Sequence, residues 1–158
     1  MKRFLKIAVP VFILGWGFGM AFWYLASPLW IDQVVNEELV ATDTAVVLAR
    51  GLFSGSDRVH QASGQATLLR QPDGRVLLQI SGFEVTNGPD LKVWMISHGA
   101  PQDGGDVKSS EQLRLSPLKG NIGDQSYTLP EGTDVSAFKS VVIYCQMFGG
   151  LFGSAPLG

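Results

Sequence analysis

Cysteine is almost absent from this chain. Cys145 is the only one among 158 residues, which excludes an internal disulfide framework and leaves the fold to be held by its apolar core. Histidine is nearly as scarce. With only His60 and His98 available, a centre built from three or four imidazoles is excluded. Basic clusters are missing as well. All 14 acidic residues, but only nine of the 12 Lys and Arg, lie beyond residue 31, and the basic ones are scattered singly from Arg50 to Lys139. That acidic, patch-free balance argues against nucleic acid and against electrostatic docking on anionic lipid. Neither G-x-S-x-G nor H-E-x-x-H occurs, and no glycine-rich phosphate loop stands between a strand and a helix. Hydrolytic and phosphoryl chemistry therefore have no foothold, and no repeat at solenoid spacing exists.

Charge is also absent from Ile7 to Ile31, a run of 25 residues that exceeds the ~20 needed to cross a bilayer and so allows some tilt. Lys2, Arg3 and Lys6 precede it, while Asp32, Glu37 and Glu38 follow. That asymmetry places the N-terminus in the cytoplasm and the rest outside. Trp23, Tyr24 and Trp30 mark the outer end, at headgroup level. A cleaved signal peptide is the alternative, but Leu25-Ala26-Ser27-Pro28 is a poor cleavage site. The resulting organisation is a cytoplasmic N-terminus at 1–6, a transmembrane signal anchor at 7–31, a linker at 32–45 and an extracytoplasmic domain at 46–158. Gly15-x-x-x-Gly19 has the spacing of a helix-dimerisation stripe, though glycine is common in membrane helices, and Pro10 is expected to kink the span. No ionisable side chain offers an ion or proton path within it.

The remainder reads as strands and turns. Val46–Phe53 is the first strand, and Gly64–Arg70 and Arg75–Ser81 flank the turn Gln71-Pro72-Asp73-Gly74. Asn87-Gly88-Pro89-Asp90 is a second turn, opening onto a strand at Leu91–Ser97. His98–Glu111, rich in Gly and Pro, reads as an irregular loop. Gln112–Leu118, Gln125–Leu129 and Ser140–Gln146 are further strands, the last paired with Phe152–Leu157. Within the linker, Val34, Val35 and Leu39 have the spacing of a short helix beside the membrane. Short strands separated by turns imply an all-β domain, either an antiparallel β-sandwich or a partly closed β-barrel.

Cys145 lies in Ser140-Val-Val-Ile-Tyr-Cys-Gln-Met-Phe148. Alternation puts Val141, Ile143 and Cys145 on one face of the strand, and Val142, Tyr144 and Gln146 on the other. A lone thiol can pack in a core, ligate a metal or haem, or exchange electrons with another molecule. A mononuclear copper site would draw on His60, His98, Cys145 and Met147, yet no His follows Cys145 as the usual copper loop requires. Haem would have to bind without a C-x-x-C-H attachment motif. Asp90, Asp103 and Asp106 lack the spacing of a calcium loop.

These residues, in order, resemble the DM-thirteen domain family, a small all-β module described as an electron-transfer domain. The resemblance runs through Gly51-x-Phe53, His60, Ser63-Gly64-Gln65-Ala66, the Asp73-Gly74 turn, Phe83 and Asn87-Gly88-Pro89-Asp90-Leu91. It continues through Leu118–Gln125, Tyr127, Leu129 and Pro130, and closes with Val142-Ile143-Tyr144-Cys145, Phe148, Phe152-Gly153, Ala155 and Leu157. Where the family usually carries Trp and a basic residue beside the cysteine, this chain has Tyr144 and Gln146. The resemblance implies an extracytoplasmic accessory domain with a redox role centred on Cys145 and an electron donor or binding partner supplied by a separate protein or small molecule. It fixes no cofactor, leaving haem and copper both open. The alternative is a non-catalytic envelope module that binds a partner, with Cys145 merely packed.

Overall fold

Nothing in the uncharged N-terminal run stops a helix before Pro28, whose ring disfavours helical backbone at the residue ahead of it. In the computed structural model, which describes residues 2–27, 30–41 and 44–158, helix α1 spans Lys2–Ala26 and runs through Pro10. It therefore starts ahead of the expected span and stops short of Ile31, while Pro28 and Leu29 of the cleavage-site region lie outside the described residues. None of its described side chains is buried, and Phe12, Trp16 and Phe18 are exposed, so these take no part in the domain core. Arg3–Tyr24 is long and apolar enough to cross a membrane.

The rest forms two antiparallel sheets. Strands β1 (Val46–Leu52), β3 (Ala62–Arg70), β4 (Val76–Val85) and β7 (Gln125–Thr128) make one, in the order β1-β3-β4-β7. The other holds β2 (Ser54–Gly55), β9 (Gly150–Pro156), β8 (Ser140–Cys145), β5 (Leu91–Ile96) and β6 (Gln112–Pro117), in the order β2-β9-β8-β5-β6. The architecture is a sandwich rather than a closed barrel. Every strand expected from alternation is present, within a few residues at each end. The β3–β4 hairpin closes as its turn chemistry requires: Gly74 takes φ +88°, and Asp73 accepts the Arg75 backbone N–H at 3.0 Å.

Between the sheets lies one apolar core, with Leu68, Leu78, Ile80 and Phe83 from the first sheet meeting Val93, Met95, Val141 and Ile143 from the second. The outer face of the second sheet is covered too. There Trp94, Ile96, Val142, Tyr144 and Leu151 pack with Val107. Val107 belongs to a helix, α2 (Gly104–Ser109), where an irregular loop is expected. Asp103 caps it by accepting the Gly105 and Asp106 N–H groups, and Val107 drives it onto the sheet. Capping and burial outweigh the penalty of two glycines.

The linker also departs from expectation. It forms no helix over its described residues, and residues 32–37 form a strap docked on the 119–126 segment. The Val35 N–H donates to the Ile122 carbonyl and the Glu37 N–H to that of Asp124, both at 2.9 Å. Gln33 N–H donates to Asn121 Oδ1 at 2.6 Å. Glu37 fastens the far end, holding Lys119 Nζ at 2.6 Å and the Ser126 N–H at 2.8 Å. The Lys119 ammonium, followed by the Ser126 donors, holds the Glu37 carboxyl below its ordinary value of 4.5. A depressed folded-state pKa means that the strap's contribution is complete above pH 4.5 and is lost as pH falls through the folded value. Protection of the Val35 and Glu37 amides from hydrogen exchange, taken relative to the unfolded chain at the same pH, is therefore expected to fall below about pH 4.5, and Glu37→Gln should remove that loss.

Candidate functional site at the Cys145 end of the sandwich

Strand β8 is buried along its whole length, because one face looks into the inter-sheet core and the other lies under α2. The expected alternation holds. Val141, Ile143 and Cys145 join the inter-sheet core, and Val142 and Tyr144 the outer cluster. Cys145 closes the strand opposite Leu91 on β5 and Gly150 on β9, with 0% of its surface exposed. Its carbonyl accepts the Gly149 N–H at 2.8 Å, closing a tight turn in which Gly149 takes φ +68°. The buried thiol is thus followed directly by a turn that presents Met147 and Phe148, 64% and 76% exposed.

Tyr144 points away from the thiol's face. Its ring meets Trp94 with centroids 4.6 Å apart, and the Arg114 guanidinium caps the Trp94 ring, also at 4.6 Å. Burial pushes the Tyr144 phenol above its ordinary range. An aromatic side chain here serves as a slab between the sheet and α2, a role open to tyrosine as well as tryptophan.

The Asn87-Gly88-Pro89-Asp90 turn packs beside this end. Gln146 N–H donates to the Asp90 carbonyl at 3.0 Å, and Asp90 pairs with Lys92 at 2.7 Å. Asn87 donates to Asp32 Oδ1 at 2.8 Å, and Asn121 donates to the same oxygen at 2.9 Å. Gly88 is closely packed, since a Cβ there would come within 2.8 Å of Leu91 Cδ2 and 2.9 Å of the Phe152 ring and push those side chains aside. Gly153 is held the same way, because its Cβ would overlap that of Ala62. Phe152 in turn carries His60, with ring centroids 4.2 Å apart, and His60 Nδ1 meets Asp57 Oδ2 at 2.7 Å. The His60 and Val59 N–H groups, with the imidazole, hold the Asp57 carboxyl down to about 2. An open cleft of about 700 Å³ between these loops is lined mainly by polar side chains, among them Asp32, His60, Ser63, Glu84 and Asn87.

The four proposed copper donors do not converge. His60 is engaged with Asp57 and Phe152, and Met147 points out of the turn. His98 lies two residues beyond Ile96, the far end of β5, and Ile96 is itself five rungs from Leu91 and Cys145, or roughly 17 Å at strand spacing. Among the described residues, no three of His, Cys, Asp and Glu gather as a metal centre would need. Asp103 is spent on capping α2, and Asp106 accepts the Gln102 N–H at 2.7 Å. Sequence reasoning did not find Asp32, Asn121, Trp94 or Arg114 at this end. Asp32 carries the one available signal, as the first charge after the apolar run.

A family model described as electron transfer DM13 matches residues 53–157, from the residue that follows β1 to the residue that follows β9. No curated protein and no solved structure matches the chain. The matched region contains α2, the Cys145 turn and every strand except β1, and it leaves α1, the strap and β1 outside. The chain therefore belongs to the DM13 electron-transfer family.

Proposed function

We propose that this chain is a membrane-tethered, extracytoplasmic accessory domain for electron transfer, anchored by α1 with its N-terminus in the cytoplasm, and that Cys145 is its redox-active group. The family match over 53–157 carries the reading, supported by the position of the sole thiol directly ahead of an exposed turn. A single thiol can form a disulfide only with another molecule. Its thiolate attacks one sulfur of a partner disulfide, and the partner's other sulfur leaves as thiolate. Because the thiol is fully covered, exchange requires the 146–149 turn to open first. The second reading, a binding module with a packed cysteine, is favoured by that same burial and by the apolar company of Cys145.

Thiol labelling of the native chain at increasing sub-denaturing urea separates the two. Local opening exposes little surface, so the redox reading expects a labelling rate nearly independent of urea. If the rate instead rises with the full slope of global unfolding, Cys145 is reached only when the domain unfolds, and the packed reading stands. A partner trapped on Cys145 under non-reducing conditions is the direct positive result.

A further inference from the structure

We propose that the Met147–Phe148 turn is a second membrane contact, dipping into the bilayer beside the anchor and holding the domain upright on it. The inference rests on the reading of α1 as a membrane anchor. Met147 and Phe148 stand adjacent at the tip of a turn, far more exposed than any apolar residue of the strands that carry them. Their turn lies at the same end of the sandwich as the exit toward α1. Leu91 pairs with Cys145 and Asp90 with Gln146. Three residues before Asp90, Asn87 binds Asp32, the first residue of the strap. On the other side of Asp32, the Ile31 N–H donates to the Ser27 carbonyl at 3.0 Å, and Trp30 packs on Trp23 of α1 with ring centroids 6.0 Å apart. Such a tryptophan pair is at home at headgroup level.

With so little chain between α1 and its docking point, this end of the domain faces the bilayer. Any apolar tip on it meets the interface without paying for a separate encounter. Val59, 71% exposed in the neighbouring loop, adds to the same end, and Arg58 beside it has the long stem that reaches headgroups. Three of the acidic residues here are engaged, Asp32 by Asn87 and Asn121, Asp57 by His60, and Asp90 by Lys92, while Glu84 stays exposed in the cleft. The contact is apolar rather than electrostatic, which agrees with the acidic balance of the domain.

The test uses the unsubstituted full chain in phosphatidylcholine vesicles that contain a photoactivatable phospholipid with its reactive group near the headgroup. After illumination, adducts are mapped by mass spectrometry. Adducts are expected on α1 and on the 146–149 turn, and none on the Gln71–Gly74 turn at the opposite end. A Met147→Ser/Phe148→Ser variant, whose exposed positions leave the core intact, should lose the label on the turn by several-fold while keeping it on α1. Adducts on α1 alone would overturn the proposal, leave the anchor standing and release the turn for a protein partner. The absence of adducts on α1 would overturn the anchor reading and this inference together.

Discussion

Cys145→Ser is expected to destabilise the domain by about 1–3 kcal/mol, the cost of placing a hydroxyl in a dry site without a partner. For a domain of this size that corresponds to a thermal midpoint lower by roughly 5–15 °C. The thiol is a weak donor that behaves as a small hydrophobe, and its face of β8 looks into the inter-sheet core beside Ile143, Leu91 and Phe152. Serine occupies nearly the same volume but keeps a strong hydrogen-bonding demand. Cys145→Ala removes the sulfur without adding a polar group, so it should cost less than serine, about 1 kcal/mol for the small void it leaves. Urea denaturation checks both, with the slope unchanged so that the difference belongs to the folded state. An undisturbed serine variant would show that water reaches position 145. The functional reading adds a separate arm. If Cys145 exchanges electrons, both variants lose exchange regardless of their different stabilities, whereas a packed cysteine leaves partner binding intact in whichever variant folds.

The strands were legible because they are short, bounded by turn residues and alternating. The pattern Val141, Ile143, Cys145 survives in the structure as one face looking inward. What alternation could not reveal is that the other face of β8 is buried too. That depends on Val107 arriving from a loop whose glycines argue against a helix, and the only local signal for that helix was Asp103 as a cap. The site's wider neighbourhood was less accessible still. Asp32 meets Asn87 and Asn121 across 55 and 89 residues of sequence, and no periodicity encodes such a meeting. The strap reads as a linker in sequence because its docking uses backbone groups and single polar side chains, which leave no hydrophobic pattern. The copper donors failed to converge for the converse reason: composition supplies a ligand set, but only strand register reveals that His98 and Cys145 sit at opposite ends of β5.

Gly123→Ala should release the strap. Gly123 takes φ +101°, which costs a residue with a Cβ about 1–2 kcal/mol by itself. Its Cβ would also overlap the Val35 carbonyl oxygen, a backbone atom of the strap with no side-chain torsion to yield. Two penalties at one position give an expected loss of about 2–4 kcal/mol in the full chain. They can be separated, because only the second depends on the strap. In a chain shortened to begin at Thr44, the overlap has no partner and the same substitution should cost only its backbone share. Equal losses in the long and short chains would mean that the strap contributes nothing to stability. A larger loss in the long chain measures the docking directly. Because the strap is what joins α1 to the Cys145 end, the full-length Gly123→Ala protein should also hold its domain less firmly against the bilayer. Lipid adducts on the 146–149 turn should then fall while those on α1 persist, linking the strap's hydrogen bonds to the orientation in which the domain meets its membrane.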